Sequence, residues 1–190
     1  MSEQTKVKSV EKVVVRFSGD SGDGMQLAGN IFSNISAAIG NEISTFPDYP
    51  AEIRAPQGTL GGVSGFQVHI GNGVYTPGDK ADVLVAMNLP SLQKFVDAVV
   101  PGGKIIIDST LIDIKVERTD VEVFYVPATQ MAKDAGYATL ANMILAGKVL
   151  KEIDAVAWEG NKETLEAFIP AKKANLIDVN CQALQLGYDY

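Results

Sequence analysis

Apolar residues fall along this chain in two alternating rhythms: short β-branched runs, and longer stretches at helical spacing. Residues 12–19, KVVVRFSG, are a compact apolar run closed by glycine and predict a buried strand. Beyond a glycine-rich turn, Ala28, Ile31, Phe32, Ile35 and Ile39 recur three or four residues apart and predict a helix that Gly40-Asn41 stops. A second short strand is expected at 42–46. Residues 63–71, VSGFQVHIG, alternate Phe66, Val68 and Ile70, and a tight Gly-Asn-Gly turn into NGVYT predicts a hairpin. DVLVAMN (82–88) is a further buried strand. The helix expected after it has Pro90 near its start, Leu92, Phe95, Val96 and Val99 on one face, and Pro101-Gly102-Gly103 as its end. KIIIDS (104–109) and VEVFYVPA (121–128) read as strands. Helices follow near 128–136 and 138–152, broken at Gly136-Tyr137. Residues 161–168 carry Asn161 as an N-cap and Glu163 in the first turn. A last helix is expected near 171–186, ending at Gly187.

This alternation predicts an α/β fold: a three-layer α/β/α domain with a mixed, mostly parallel sheet and a β-hairpin insertion. Residues 1–11 read as a flexible N-terminal segment and 12–190 as a single domain. One stretch breaks the rhythm. Residues 47–62, PDYPAEIRAPQGTLGG, hold three prolines and three glycines without periodicity, which marks a long loop of the kind that carries function.

Composition sharpens the picture by exclusion. At 190 residues the chain can bury one sizeable core. A net charge of -7 without any Lys/Arg run argues against nucleic acid as a partner. No apolar run approaches the length of a membrane span, and the polar start lacks a signal-peptide core, so the compartment expected is the cytoplasm. Cys181 is the only cysteine, which excludes an internal disulfide and any cysteine-ligated cluster or zinc site contained in this chain. It reads as a small core residue. His69, the only histidine, falls between Val68 and Ile70 and so takes the opposite strand face, in a surface or cross-strand role.

The candidate chemistry lies in FSGDSGDGMQLAGN, residues 17–30. A dinucleotide turn needs Gly-x-Gly-x-x-Gly, whereas Gly19, Gly22 and Gly24 are spaced Gly-x-x-Gly-x-Gly, and Asp20 and Asp23 would repel phosphates. A thiamine diphosphate site would use Gly22-Asp23-Gly24 to hold Mg²⁺, but no asparagine lies between Asn41 and Asn72 to complete it. An anion cradle of backbone N–H groups would need an arginine, with Arg16 and Arg54 as candidates. The remaining reading is a structural turn in which Asp23 caps the following helix. In the long loop, Glu52 and Arg54 read either as a surface ion pair or as an arginine facing a ligand or interface.

A strand, then Gly19-x-x-Gly22-x-Gly24, then a helix with Ala28-Gly29 resembles the gamma domain of 2-oxoacid:ferredoxin oxidoreductases. Ser21 and Asp23 stand where that family's turn has glycine and glutamine. Glu52-Ile53-Arg54 match its next signature, with Ala55-Pro56 in place of two glycines. ADVLVAMN (81–88) and NMILAG (142–147) match its later strand and helix, so the resemblance runs from about 12 to 187. The spelling is most similar to the 2-oxoglutarate type, in which this domain is often fused to the front of the alpha subunit.

The resemblance implies a component of an enzyme that oxidatively decarboxylates a 2-oxoacid to an acyl-CoA and passes electrons to ferredoxin. It implies alpha and beta subunits or domains as partners. Thiamine diphosphate, Mg²⁺ and iron–sulfur clusters would be held on those partners, and this chain alone would be inactive. It would contribute assembly and part of the coenzyme A site. Gly19, Ser21, Gly22, Asp23, Gly24, Glu52 and Arg54 are the candidate site residues, with no catalytic residue and no metal ligand among them. A stand-alone nucleotide-binding α/β protein and a pure assembly module without ligand contacts remain the alternatives.

Overall fold

The computed structural model of the chain describes residues 12–20, 22–38, 40–48, 63–71, 78–137, 139–153, 165–166 and 176–190. The expected tail at 1–11, most of the 47–62 loop, the NGVYT half of the hairpin and the Asn161 cap lie outside those residues.

β1 (Val13–Gly19), α1 (Met25–Ala38), β2 (Ile43–Asp48), β3 (Ser64–Ile70) and β4 (Ala81–Ala86) form the first half. α2 (Leu89–Phe95), β5 (Val99–Asp108), β6 (Glu122–Val126), α3 (Ala128–Asp134), α4 (Ala141–Glu152) and α5 (Ile177–Asp189) follow. The strands make one six-stranded sheet in the order β2-β3-β1-β4-β5-β6. Pairs β1–β4, β4–β5 and β5–β6 are parallel, and β3 runs antiparallel to both its neighbours, the one reversed strand among the described residues. The expected α/β class and mixed, mostly parallel sheet are what the chain forms.

The consecutive antiparallel pair among the described strands is β2 with β3, registered Ile43 to Ile70, and β1 flanks β3 on its other edge. Two expectations shift. The helix after β4 is short: α2 ends at Phe95, a 3₁₀ turn covers Val96–Ala98, and Val99 already belongs to β5. Pro101-Gly102-Gly103 therefore lies within a strand, where the pairing with β4 skips register between Ala81 and Val83. The last described helix begins at Ile177 and runs through Gly187 to Asp189.

Gly187 is a packing residue. A Cβ there would stand 1.7 Å from the carbonyl oxygen of Ile144, and one on Gly147 would stand 1.9 Å from that of Leu184. The two glycines let α4 and α5 cross backbone to backbone. This pair lies in the larger core, where Phe17, Phe32, Val68, Ile70, Val85, Ile106, Met143, Ile144 and Leu184 are buried between the sheet and α1, α3, α4 and α5. α4 fits its place because Asn142 through Leu150 are all buried. The opposite face carries α2 over Leu84, Ala86, Ile105 and Ile107.

Candidate functional site

The parallel strands β1, β4, β5 and β6 end together at Gly19, Ala86, Asp108 and Val126, so the segments after them share one edge of the sheet. The connection after β1 leads to the β3/β2 side and the one after β4 leads to the β5/β6 side. The switch between β1 and β4 is where open α/β sheets leave a crevice for ligands.

Polar groups organise that edge. Asp108 is fully buried and works as a bracket: Oδ1 accepts the Thr110 amide at 3.0 Å, and Oδ2 accepts the Thr129 amide and hydroxyl at 3.1 and 2.6 Å, capping α3. Asn88 caps α2 by accepting the Ser91 amide at 2.9 Å. The Ser18 hydroxyl, buried, meets Ser91 Oγ at 3.1 Å and the Ser64 carbonyl at 3.3 Å.

The glycine turn closes on itself. The Asp23 amide donates to the Asp20 carbonyl at 3.2 Å, and the Asp20 amide donates to Asp23 Oδ2 at 2.7 Å. Gly22 and Gly24 take φ of 113° and 72°, the left-handed region that suits glycine. The expectation that Asp23 caps the next helix is corrected. α1 starts at Met25, and the Asp23 carboxylate bends back to the Asp20 amide instead of onto the first helical turn. Burial pushes the Asp23 carboxyl above its ordinary range, the negative Asp20 and Asp108 add to the shift, and the hydrogen bond from Asp20 opposes it. Gly19 sits against the same carboxylate, since a Cβ there would meet Asp23 Oδ2 at 2.7 Å.

The Asp23 carboxylate therefore does not close the α1 N-terminus. Among the described residues the amides of Met25, Gln26 and Leu27 find no hydrogen-bond acceptor. They border a cleft of about 470 Å³ lined by Asp20, Gly22, Gly24, Met25, Gln26, Leu27, Asn30 and Ser64.

Sequence reasoning missed Asn142. From the first turn of α4 its Nδ2 donates to the Gly24 carbonyl at 2.9 Å, tying the glycine turn to a helix 118 residues away in sequence. The residue is 3% exposed, and its Oδ1 has no hydrogen-bond partner. The signal available was a carboxamide among Ala141, Met143 and Ile144, in a turn that is otherwise apolar.

Of the expected site residues, the structure brings together Gly19, Gly22, Asp23 and Gly24; Ser21, Glu52 and Arg54 lie outside the described residues. Arg16 does not serve the turn. Its guanidinium stacks over the Phe95 ring at 4.2 Å, donates to the Gly78 carbonyl at 3.1 Å and lines a separate cleft with Phe46, Gln67 and Lys94. Among the described residues no His/Cys/Asp/Glu cluster could hold a metal ion, and no helix is long and apolar enough to cross a membrane.

Fold and edge together define an open α/β domain with its crevice at the strand-order switch. A family model described as pyruvate ferredoxin/flavodoxin oxidoreductase matches residues 14–190, and the chain belongs to that family. It is 37% identical to the 2-oxoglutarate oxidoreductase subunit KorA of Mycobacterium tuberculosis, over 95% of this chain and 31% of that protein, and so spans about a third of that relative's length. The 2-oxoglutarate synthase subunit KorC of Methanocaldococcus jannaschii is 27% identical, over 92% of this chain and 91% of its own.

Among solved structures, the 2-oxoglutarate:ferredoxin oxidoreductase of Magnetococcus marinus, with 2-oxoglutarate, coenzyme A and succinyl-CoA bound, superposes with a TM-score of 0.80 at 24% identity. That match covers 95% of this chain and 31% of that one. The keto/oxoacid ferredoxin oxidoreductase gamma subunit of Geobacter sulfurreducens gives 0.77 at 23% identity, over 93% of this chain and 96% of its own. The chain thus has the gamma-subunit fold.

Proposed function

We propose that this chain is the gamma domain or subunit of a 2-oxoglutarate:ferredoxin oxidoreductase. In that role it holds alpha and beta partners together and forms part of the coenzyme A site of a complex that converts a 2-oxoacid to an acyl-CoA and passes electrons to ferredoxin. The observation that carries the reading is the 37% identity to a 2-oxoglutarate oxidoreductase subunit across 95% of this chain. The glycine turn at the strand switch supports a ligand contact, since it combines a cleft with backbone amides that find no acceptor among the described residues.

The redox and decarboxylation chemistry falls to the partners, because the residues here do not fit those cofactors. Cysteine-ligated iron–sulfur clusters need several thiolates, and Cys181 is the sole cysteine and is buried. A Mg²⁺–diphosphate site needs several oxygen ligands, and the Asp23 carboxylate already accepts the Asp20 amide. When bound to the partners, thiamine diphosphate supplies the carbanion chemistry of decarboxylation. Glu52 and Arg54 remain candidates for contact with the coenzyme or a partner.

The test is to tag this chain in its native source, purify what comes with it, and assay it with 2-oxoglutarate, coenzyme A and ferredoxin. A brown complex with coenzyme A-dependent turnover is the expected result. A colourless protein purified alone would overturn the proposal.

A further inference from the structure

We infer that Asn142 is a positioning residue for the glycine turn, kept for the direction it gives Gly24 and not for stability; its effect on turnover rests on the coenzyme A reading above. The hydrogen bonds at Gly24 carry the argument. The Gly24 carbonyl already accepts the Ala28 amide at 3.0 Å, the bond that begins the α1 ladder, and Asn142 Nδ2 donates to the same oxygen at 2.9 Å. Without Asn142 that oxygen would still have a partner. The carboxamide itself is only half satisfied: the residue is 3% exposed, and its Oδ1 finds no donor among the described residues. Burying an oxygen without a bond is unfavourable by about as much as one hydrogen bond contributes. Compared with an apolar side chain of similar shape, this asparagine adds no net stability.

What it supplies is geometry. The carbonyl it holds lies in the planar peptide between Gly24 and Met25, so its direction fixes where the Met25 amide points. The Gln26 and Leu27 amides follow in the same helical turn. Gly24 takes a φ of 72°, and a Cβ there would stand 2.5 Å from Asn142 Nδ2, so the glycine and the carboxamide fit as a pair. The anchor is rigid. Asn142 stands in the first turn of α4, which crosses α5 backbone to backbone at Gly147 and Gly187. A side chain on a packed helix holds its target more closely than one on a loop.

The experiment compares Asn142→Leu, apolar and similar in shape, with Asn142→Ala, which cannot overpack. Urea unfolding and hydrogen exchange are read on the full chain, and kinetics on the assembled complex. Asn142→Leu is expected to keep or raise the urea midpoint, and Asn142→Ala to lower it by leaving a cavity. Both lose the same bond to Gly24. Both should therefore speed exchange of the Ala28 amide by about tenfold and raise the KM for coenzyme A by a similar factor, with a smaller change in kcat. A KM that follows the urea midpoint across the two variants would make Asn142 a structural residue and overturn the inference. Unchanged exchange at Ala28 in both variants would overturn it as well. Faster exchange with an unchanged KM would remove the positioning role and leave the coenzyme A reading standing. If turnover does not require coenzyme A, the functional reading falls, and exchange set against the urea midpoint decides the role of Asn142 alone.

Discussion

On one face of the sheet Val15, Phe17, Val68, Ile70, Val85 and Ile106 are buried against α1, α4 and α5 in a continuous apolar layer. On the other, the layer divides. Leu84, Ala86, Ile105 and Ile107 on β4 and β5 lie under α2 and its neighbours, but Arg16, Ser18, Gln67 and His69 on β1 and β3 are polar and still 5% exposed or less. Burying such groups is costly unless they are hydrogen-bonded. Here they bond locally: Ser18 to Ser64 and Ser91, Arg16 to Gly78, Gln67 to His69 and to the Gly78 amide. The apolar face holds the domain together through shape. The polar half fixes the position of β1 and β3 directly behind the glycine turn, because Ser18 is one residue from Gly19 and the Met87 amide donates to the Ser18 carbonyl at 3.0 Å.

If shape governs the apolar face, the smallest added volume there should do the most damage. Gly187→Ala places a methyl 1.7 Å from a backbone carbonyl that cannot swing aside, so α4 and α5 must separate. The expected cost is about 3 kcal/mol or more, read as a lower urea midpoint with an unchanged slope. Gly29→Ala is the control on the same face. Its methyl meets the Phe66 ring at 2.3 Å, and a side chain can turn away. The expected cost is about 1–2 kcal/mol. Equal losses would mean that the α4–α5 crossing is not set by backbone contact.

On the polar half the expectation is smaller and depends on chemistry. Ser18→Ala removes a hydroxyl shared by the Ser91 hydroxyl and the Ser64 carbonyl and leaves both short of a partner. The expected loss is about 1–2 kcal/mol, with an added loosening of the neighbouring turn. A neutral result would show that water or a relaxed contact replaces the hydroxyl, and the two faces would differ less than their composition suggests.

The same contrast explains what could be read from sequence. The apolar face was legible, because each element on it announces itself locally: VVVRF for β1, IIID for β5, the spacing of Ile31, Phe32 and Ile35 for α1. Boundaries that depend on distant partners were not. Pro101-Gly102-Gly103 reads as a helix end until β4 is seen beside it with a skipped register. Gly187 reads as a stop until Ile144 is placed against it. The glycine turn was visible as a site, but Asn142, which fixes Gly24 from 118 residues on, carries no local mark of that contact.

His69 tests whether the polar half is tuned by burial. It is 1% exposed with its ring edge-on to Phe46, and burial pushes its pKa below the ordinary value, helped by the positive Lys12 and Arg16 and opposed by Asp82. The unfolded chain therefore takes up its proton first as pH falls, and stability should decline below about pH 6.5 until the folded form also protonates. His69→Gln should remove that part of the pH dependence. Parallel stability curves for the two proteins between pH 5 and 7 would show that the histidine is not held neutral by the fold.

The smallest effect is expected at Asp23, on the edge where the two faces meet. Its pKa is raised in the folded chain, so the fold binds its proton more tightly than the unfolded chain does. The stability this contributes is present below the unfolded value near 4 and is lost as pH rises through the folded value. Asp23→Asn keeps an oxygen for the Asp20 amide and removes the charge. The variant should therefore gain on the wild type as pH rises from 4 to 7, and hold that gain above. Urea unfolding at the two ends of that range decides it. A difference that does not change with pH would mean that burial, with Asp20 and Asp108 beside it, does not raise the Asp23 carboxyl in the folded chain.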